Sequence, residues 1–224
     1  MPRTPIASPL SERLTVAALL LLTFATGLVD AVSVLLLGHV FVANMTGNAI
    51  FLGFLFVPGT GIDLTAAVLA FGGFLAGAIL GGRLVRLLYR DTRRWLTVAL
   101  AIEITLLLVL AALAGAGVLR YHDDTKLILI AGLALAFGLQ NSTARQFGIQ
   151  ELYTTVLTST IVGIGVDSRL AGGTGRREKL RYSVVLVMVG GAVVGATLSQ
   201  LVVAPVIASA AALVTVSLLL FRFG

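Results

Sequence analysis

The sequence predicts an all-α polytopic membrane protein with six transmembrane helices and two re-entrant half-helices, arranged as two inverted repeats. Three observations favour this fold. Hydrophobic residues make up 58% of the chain and charged residues 12%, against about 25% charged residues in soluble domains. Several apolar runs reach the roughly 20 residues that a helix needs to cross a bilayer. Two polar stretches, 39–53 and 153–163, interrupt the apolar sequence about half a chain apart.

Charge and residue content exclude several other functions. The formal net charge of +6 comes from Lys and Arg in short loops between apolar runs, a pattern that reports membrane orientation rather than nucleic-acid binding. The absence of cysteine excludes disulfides, thiol catalysis and cysteine-ligated metal. The two histidines, His39 and His122, lie too far apart in the sequence to suggest a metal site. We therefore expect no nucleic-acid partner, no metal and no cofactor.

The first predicted span, helix A, covers residues 14–37 and follows a basic tail at 1–13. This start has the outline of a signal peptide, but hydrophobicity resumes directly after Asp30, so we expect an uncleaved span. Helical spacing places Asp30 on one face with Thr26 and Ser33. Asp30 is then either a structural residue hydrogen-bonded to Thr26 or Ser33, or a cation or proton site, or the partner of a buried Arg.

Four uncharged polar side chains interrupt the apolar run at 39–53, namely His39, Asn44, Thr46 and Asn48. Polar groups in hydrocarbon cost several kcal/mol each unless they are satisfied, so this stretch should line a protein cavity. We expect extended chain at 40–42, followed by a half-helix, B, whose N-terminus is capped by Thr46 or Asn48. Half-helix B ends near residue 57 and crosses about half of a roughly 30 Å hydrocarbon core.

The rest of the chain supplies the other predicted elements. Helix C (64–89) carries Gly73, Gly77 and Gly81 at four-residue spacing, which allows a neighbouring helix to approach closely. Helix D (95–119) contains Glu103, either an intramembrane acid or a side chain that snorkels to the interface, and we expect it to face the bundle in a structural role. The second half repeats this order as helix A′ (127–145), element B′ (152–166), helix C′ (182–203) and helix D′ (206–221).

Three pairs of segments match between the two halves. Residues 27–31 match 138–142, residues 45–48 match 157–160, and residues 72–77 match 190–195. Because these matches keep the same order along the chain, they predict an internal duplication. The repeats would cover 14–119 and 126–222 and form one integrated membrane domain.

The distribution of positive charge predicts how the repeats are related. The basic loops 83–94 and 169–181 should both be cytoplasmic, which requires B and B′ to enter the membrane and return rather than cross it. Each half then crosses the membrane an odd number of times, so the halves are inverted relative to each other. Both termini are cytoplasmic, and of the 16 Lys and Arg residues only Arg120 and Lys126 face outside.

Four motifs recur in a known group of membrane proteins: GLVDA at 27–31, VFVANMTGN at 40–48, GLQN at 138–141 and TTVLT at 154–158. With these motifs the chain resembles the YoaK-like family, which carries a domain of unknown function. The resemblance covers nearly the whole chain, although Ser159 stands where family members often have glycine. It implies a membrane location and six spans, and it implies no substrate. We expect the protein in the bacterial cytoplasmic membrane.

The predicted topology favours a transport function. Inverted repeats with broken helices near the midplane are the architecture of secondary transporters and of some channels. We predict a transporter or channel for a small polar solute or ion, bound at half-helix N-termini whose partial positive charge suits an anion or a polar solute. A further hypothesis pairs Asp30 with Arg145 across the pseudo-two-fold axis. The predicted binding residues are Asp30, Asn44, Thr46, Gly47, Asn48, Gln140, Asn141, Arg145, Thr155 and Thr158.

Other functions stay compatible with the sequence. The polar groups could only satisfy one another, in a non-transporting scaffold or lipid-binding protein. The glycines of helices C and C′ could form a homo-oligomer interface or pack within one chain, the second being favoured. An intramembrane enzyme using Asp30, Glu103 or His39 as acid or base is least favoured, because the sequence contains no activated-nucleophile motif. We therefore expect a protein that is not an enzyme, with the bilayer and a small polar solute or ion as partners.

Overall fold

A computed structural model describes residues 8–57, 59, 61–149, 157–175, 177–200 and 202–223. The helices are α1 (Glu12–Leu36), α2 (Met45–Gly53), α3 (Leu64–Leu88), α4 (Thr92–Gly115), α5 (Lys126–Ala144), α6 (Leu157–Val166), α7 (Glu178–Ser199) and α8 (Val203–Phe223). Within the described residues, six of them (α1, α3, α4, α5, α7 and α8) are long and apolar enough to cross a membrane. The predicted all-helical fold with six spans is confirmed.

The spans begin where capping residues place them rather than where hydropathy rises. Asp63 accepts a hydrogen bond from the N–H of Ala66 (3.0 Å) and caps α3, and Asp91 caps α4 in the same way through Arg94 (2.9 Å). Such caps satisfy N–H groups that have no partner in the first turn of a helix. The α4 helix therefore starts at Thr92, in the charged loop, and not at Trp95 as hydropathy predicted.

Long helices pair between the two halves of the chain. The α1 helix packs on α7 and α3 packs on α5, while α4 packs on α8. In the α1–α7 pair, Gly191 lies against Phe24 and Gly195 lies against Leu28, so residue numbers rise together and the helices run parallel. The short helices pack within their own halves, α2 on α3 and α6 on α7.

Specific contacts identify the two ends of the bundle. At the first, called here the Asp63 end, Gly38 after α1 lies against Asp63, which forms an ion pair of 2.9 Å with Lys126 at the start of α5. At the other, called the Trp95 end, the ring of Phe147 after α5 lies 6.0 Å from Trp95 and 5.4 Å from Phe221 of α8. The chain therefore leaves α1 and enters α3 at the same end.

Glycines allow the paired helices to approach closely. A Cβ atom at Gly77 would overlap the carbonyl oxygen of Leu135 in α5, and one at Gly191 would overlap that of Phe24 in α1. In the same way Gly81 lies against α5, at Ser142, and Gly195 against α1. These glycines are thus used within one chain.

Candidate functional site

The buried carboxylate of Asp30 is the centre of the site. Its Oδ1 accepts hydrogen bonds from the backbone N–H groups of Val42 and Ala43, both at 2.8 Å. Its Oδ2 accepts two from Asn44, one from the backbone N–H (3.1 Å) and one from the side-chain amide (2.6 Å). A carboxylate offers about four acceptor positions, so those of Asp30 are all in use. Its side chain is 5% exposed.

The prediction that Thr26 or Ser33 holds Asp30 was wrong. The hydroxyl of Thr26 donates to the carbonyl of Leu22 at 3.0 Å, within its own helix. The Ser33 hydroxyl is buried without a hydrogen-bond partner in the described part of the chain. Asp30 instead accepts hydrogen bonds from the segment that follows α1 and folds back beside it. The backbone N–H groups of that segment belong to no helix or strand, so they are free to donate to the carboxylate.

The return segment, 37–44, reverses the chain at the end of α1. Gly38 (φ 104°) and His39 (φ 60°) both adopt left-handed backbone conformations. A non-glycine residue in this region costs roughly 1–2 kcal/mol, which the hydrogen bonds to Asp30 offset. The reversal brings residues 42–44 back to the level of Asp30 and sets the start of α2 there.

A second buried side chain, Asn48, closes the return segment from the α2 side. Its Oδ1 accepts from the N–H of Phe41 at 2.9 Å, and its amide donates to the carbonyl oxygen of the same residue. The predicted capping of α2 by Thr46 or Asn48 was therefore wrong: Asn44 stands at the N-cap, and it makes no side-chain capping bond. The Asn44 amide is used by Asp30 instead.

The first turns of α2 and α6 face one cavity of about 510 Å³, together with α1 and α7. Its polar lining residues are Asp30, Asn44, Thr46 and Thr158, and its other lining residues are Gly27, Ala31, Val34, Phe41, Gly47, Leu157, Met188 and Ala192. The cavity lies near the middle of α7. It is a largely apolar chamber with a few hydrogen-bonding groups, the usual composition of a small-molecule site.

Half of the predicted site residues line this cavity. They are Asp30, Asn44, Thr46, Gly47 and Thr158. Asn48 lies behind the wall, bonded to Phe41. Gly47 packs against the Phe41 ring, and a Cβ atom at this position would come within 2.6 Å of it, so the ring would have to shift. Sequence reasoning missed Met188 and Ala192 on α7, for which the only signal was their spacing of about one helical turn.

The other predicted residues lie elsewhere. Gln140 is buried between helices, where its amide donates to Thr26 Oγ1 at 3.1 Å. Asn141 is half-buried and donates to the carbonyl oxygen of Phe137. Thr155 lies outside the described residues.

The hypothesis that Asp30 pairs with Arg145 was wrong. Arg145 follows α5 in a short 3₁₀ turn and is exposed at the Trp95 end, next to Phe147. Asp30 is buried and its oxygens accept from the return segment. The physical reason is that uncharged backbone N–H groups satisfy the Asp30 carboxylate, so it does not need the buried cation that we expected.

A second carboxyl group, Glu103 of α4, is also fully buried. Neither of its oxygens has a hydrogen-bond partner among the described residues. Glu103 thus faces the bundle, as predicted, and does not snorkel to the interface.

The family model described as "Protein of unknown function (DUF1275)" matches residues 18–220. The chain belongs to this family. The match spans both short helices and the whole cavity described above. It confirms the resemblance to the YoaK-like family that the motifs indicated.

The chain is also similar to the "UPF0700 transmembrane protein YoaK" of Bacillus subtilis (strain 168). It is 34% identical over 159 residues, which cover 69% of this chain and 67% of the relative. No solved structure matches the chain. The six apolar helices and the family together make it an integral membrane protein.

Proposed function

We propose that the protein is a transporter or channel for a small polar solute, which binds in the cavity between the N-termini of α2 and α6. One observation carries this proposal: two short helices from different halves of the chain present their first turns to the same chamber. Facing half-helix tips of this kind form the solute sites of many secondary transporters.

The connections of α2 and α6 support re-entrant half-helices. The chain from α1 to α3 begins and ends at the Asp63 end, where Gly38 meets Asp63. The chain from α5 to α7 begins and ends at the Trp95 end, since Phe147 packs on Phe221 and α7 starts beside the start of α1. In the proposal, α2 therefore enters from one side of the membrane and α6 from the other.

The helix pairing supports inverted repeats. Each helix of the first half has a counterpart in the second: α1 and α5, α2 and α6, α3 and α7, α4 and α8. When every helix is replaced by its counterpart, the α1–α7 contact becomes the α5–α3 contact, and the α1–α8 contact becomes the α5–α4 contact. All of these contacts are present. A pseudo-two-fold axis in the membrane plane has this effect, and it is the symmetry of inverted-repeat transporters.

Positive charge gives the proposed orientation. Within the described residues, Arg120 and Lys126 are the Lys and Arg residues at the Asp63 end, and the others lie towards the Trp95 end. Because Lys and Arg concentrate in cytoplasmic loops, we assign the Trp95 end and both termini to the cytoplasm of the bacterial cell.

The chemistry of the cavity favours an uncharged polar solute. Asp30 places a negative charge at the wall, which disfavours an anion, and its oxygens are already occupied, which leaves no ligand for a cation. Thr46 and Thr158 offer hydroxyl groups, while the remaining wall is mostly apolar. The same occupied carboxylate makes acid or base catalysis at this position unfavourable.

Flux into proteoliposomes tests the proposal. Vesicles containing the purified protein are exposed to small neutral osmolytes and to inorganic ions, and uptake is followed by light scattering. We expect flux of neutral solutes, blocked by Ala31→Leu, which fills the cavity, and not by the matched change Val193→Leu on the exposed face of α7. A folded protein that passes no solute or ion would overturn the proposal and favour a scaffold.

A further inference from the structure

A second cavity, of about 710 Å³, lies at the Trp95 end between the first turns of α1 and α7 and the loop before α7. Its lining includes four cationic side chains, Arg13, Arg169, Arg177 and Lys179, and two carboxylates, Glu12 and Glu178. The inner wall is apolar and is formed by Val16, Leu20 and Leu180. Unlike the central cavity, this one has an excess of positive charge.

Along the membrane normal, the cationic side chains of this cavity lie outermost and its apolar side chains lie deeper. On α1, Arg13, Val16 and Leu20 share one helix face, so the cation lies outermost and the apolar residues lie deeper. On α7, the exposed Lys179 likewise precedes Leu180 on the way into the bundle. This order matches a phospholipid, which places its phosphate at the interface and its acyl chains in the hydrocarbon.

The neighbouring Arg181 differs from Arg13 and Lys179 in how its charge is used. Arg181 donates to the carbonyl oxygen of Gly163 (2.7 Å) and pairs with Asp167, so its charge is used inside the fold. Arg13 and Lys179, in contrast, are exposed at the cavity mouth. Even without Arg177, three cations (Arg13, Arg169 and Lys179) stand against the two carboxylates among the described lining residues, so the site is complementary to a ligand that carries negative charge.

We propose that this cavity binds the phosphate group of an anionic phospholipid, with one acyl chain against Val16 and Leu20. Basic pockets between membrane helices on the cytoplasmic side bind acidic headgroups in this way. The apolar wall distinguishes a lipid from free phosphate, which would gain nothing from it. The site is independent of the transport proposal, because it lies at the end of the bundle and shares no lining residue with the central cavity.

Native mass spectrometry of the detergent-purified full chain tests this site, with phosphatidylglycerol, phosphatidylcholine and inorganic phosphate as separate probes. We expect saturable binding of phosphatidylglycerol, and roughly thirtyfold weaker binding by the double variant Arg13→Gln/Lys179→Gln. The matched control is Arg90→Gln/Arg93→Gln, which removes the same charge from the same end of the bundle but outside the cavity, and it should bind normally.

A variant that is expected to bind lipid more tightly is also needed, because weaker binding alone could result from misfolding. Removing the exposed carboxylate in Glu12→Gln should tighten phosphatidylglycerol binding roughly fivefold. An equal loss in both double variants would overturn the site, since attraction would then belong to the whole surface. Phosphate binding as tight as lipid binding, or equal binding of phosphatidylcholine, would overturn the assignment to an anionic lipid.

Discussion

Asp30 and Asn44 are joined by two hydrogen bonds, at 2.6 and 3.1 Å, across fourteen positions of the chain. One comes from the amide side chain of Asn44 and the other from its backbone N–H. This pair fixes the start of α2 to the middle of the bundle, beside α1. The depth of the α2 N-terminus is therefore set by side-chain chemistry on another helix rather than by the length of α2.

The first prediction concerns Asp30→Asn. Asparagine keeps one acceptor oxygen and replaces the other by an NH2 group, so either the N–H groups of Val42 and Ala43 or the two donors of Asn44 would lose their acceptor. We expect the free energy of unfolding, measured by titration with SDS in micelles, to fall by about 3 kcal/mol. The control Ser33→Ala removes a buried hydroxyl that has no partner in the described chain, and should change it by less than about 0.5 kcal/mol. Equal effects would contradict the role of Asp30.

The second prediction concerns the glycine contacts. Gly77→Ala and Gly191→Ala each place a methyl group on a carbonyl oxygen of the paired helix, so each should cost about 1–3 kcal/mol in the same titration. Gly72 lies on the same helix as Gly77 and has nothing within 4 Å of its Cβ position. Gly72→Ala should therefore be neutral or slightly stabilising. If Gly72→Ala is also destabilising, the loss of stability in Gly77→Ala arises from helix α3 itself and not from its contact with α5.

The third prediction concerns Glu103. A buried polar group without a partner loses its hydration and gains no hydrogen bond, so its replacement by an apolar residue of similar size is often neutral or stabilising. We expect Glu103→Leu to keep or raise the melting temperature in detergent, and Glu103→Gln to change it little. A loss of more than about 2 kcal/mol in Glu103→Leu would show that the carboxyl has a hydrogen bond in the membrane.

The fourth prediction concerns the pH dependence of the Asp63–Lys126 ion pair. Partial burial of Asp63 disfavours its ionised form, but the hydrogen bond and the charge of Lys126 outweigh this and hold the pKa of Asp63 below its ordinary value. A lowered pKa in the folded state means that the stabilisation is present above the ordinary pKa and is lost as the pH falls through the folded one.

The variant Asp63→Asn isolates this contribution, because asparagine keeps the capping of α3 and removes the charge. At neutral pH the variant should be less stable by about 0.5–1 kcal/mol, the value of a partly exposed ion pair. The difference in melting temperature between the two proteins should shrink as the pH falls below the ordinary range of an aspartate. A difference that is the same at every pH would mean that capping, and not the ion pair, is lost.

The sequence was sufficient to predict the features that depend on hydrophobicity and on the order of the segments along the chain. Six spans, the burial of Asp30 and the face of Glu103 follow from the cost of polar groups in hydrocarbon. Helix ends were less accurate, because hydropathy reports where the bilayer starts, whereas a cap such as Asp91 reports where the helix starts.

The partners of Asp30 could not be predicted from the sequence. They depend on the left-handed conformation of His39, which is uncommon for any residue except glycine, and this conformation decides where the return segment lies. The contacts of the glycines could not be predicted for another reason. A helix with a glycine every fourth residue can pack on a neighbour at several offsets, and only the three-dimensional fold places Gly77 against Leu135.

The pairing of α1 with α7 and of α3 with α5 also constrains how the protein is made. A ribosome releases α1 long before α7, so the closest partner of the first span is missing during most of synthesis. The glycine contacts between α3 and α5, and between α1 and α7, therefore form only after the second half of the chain has been synthesised.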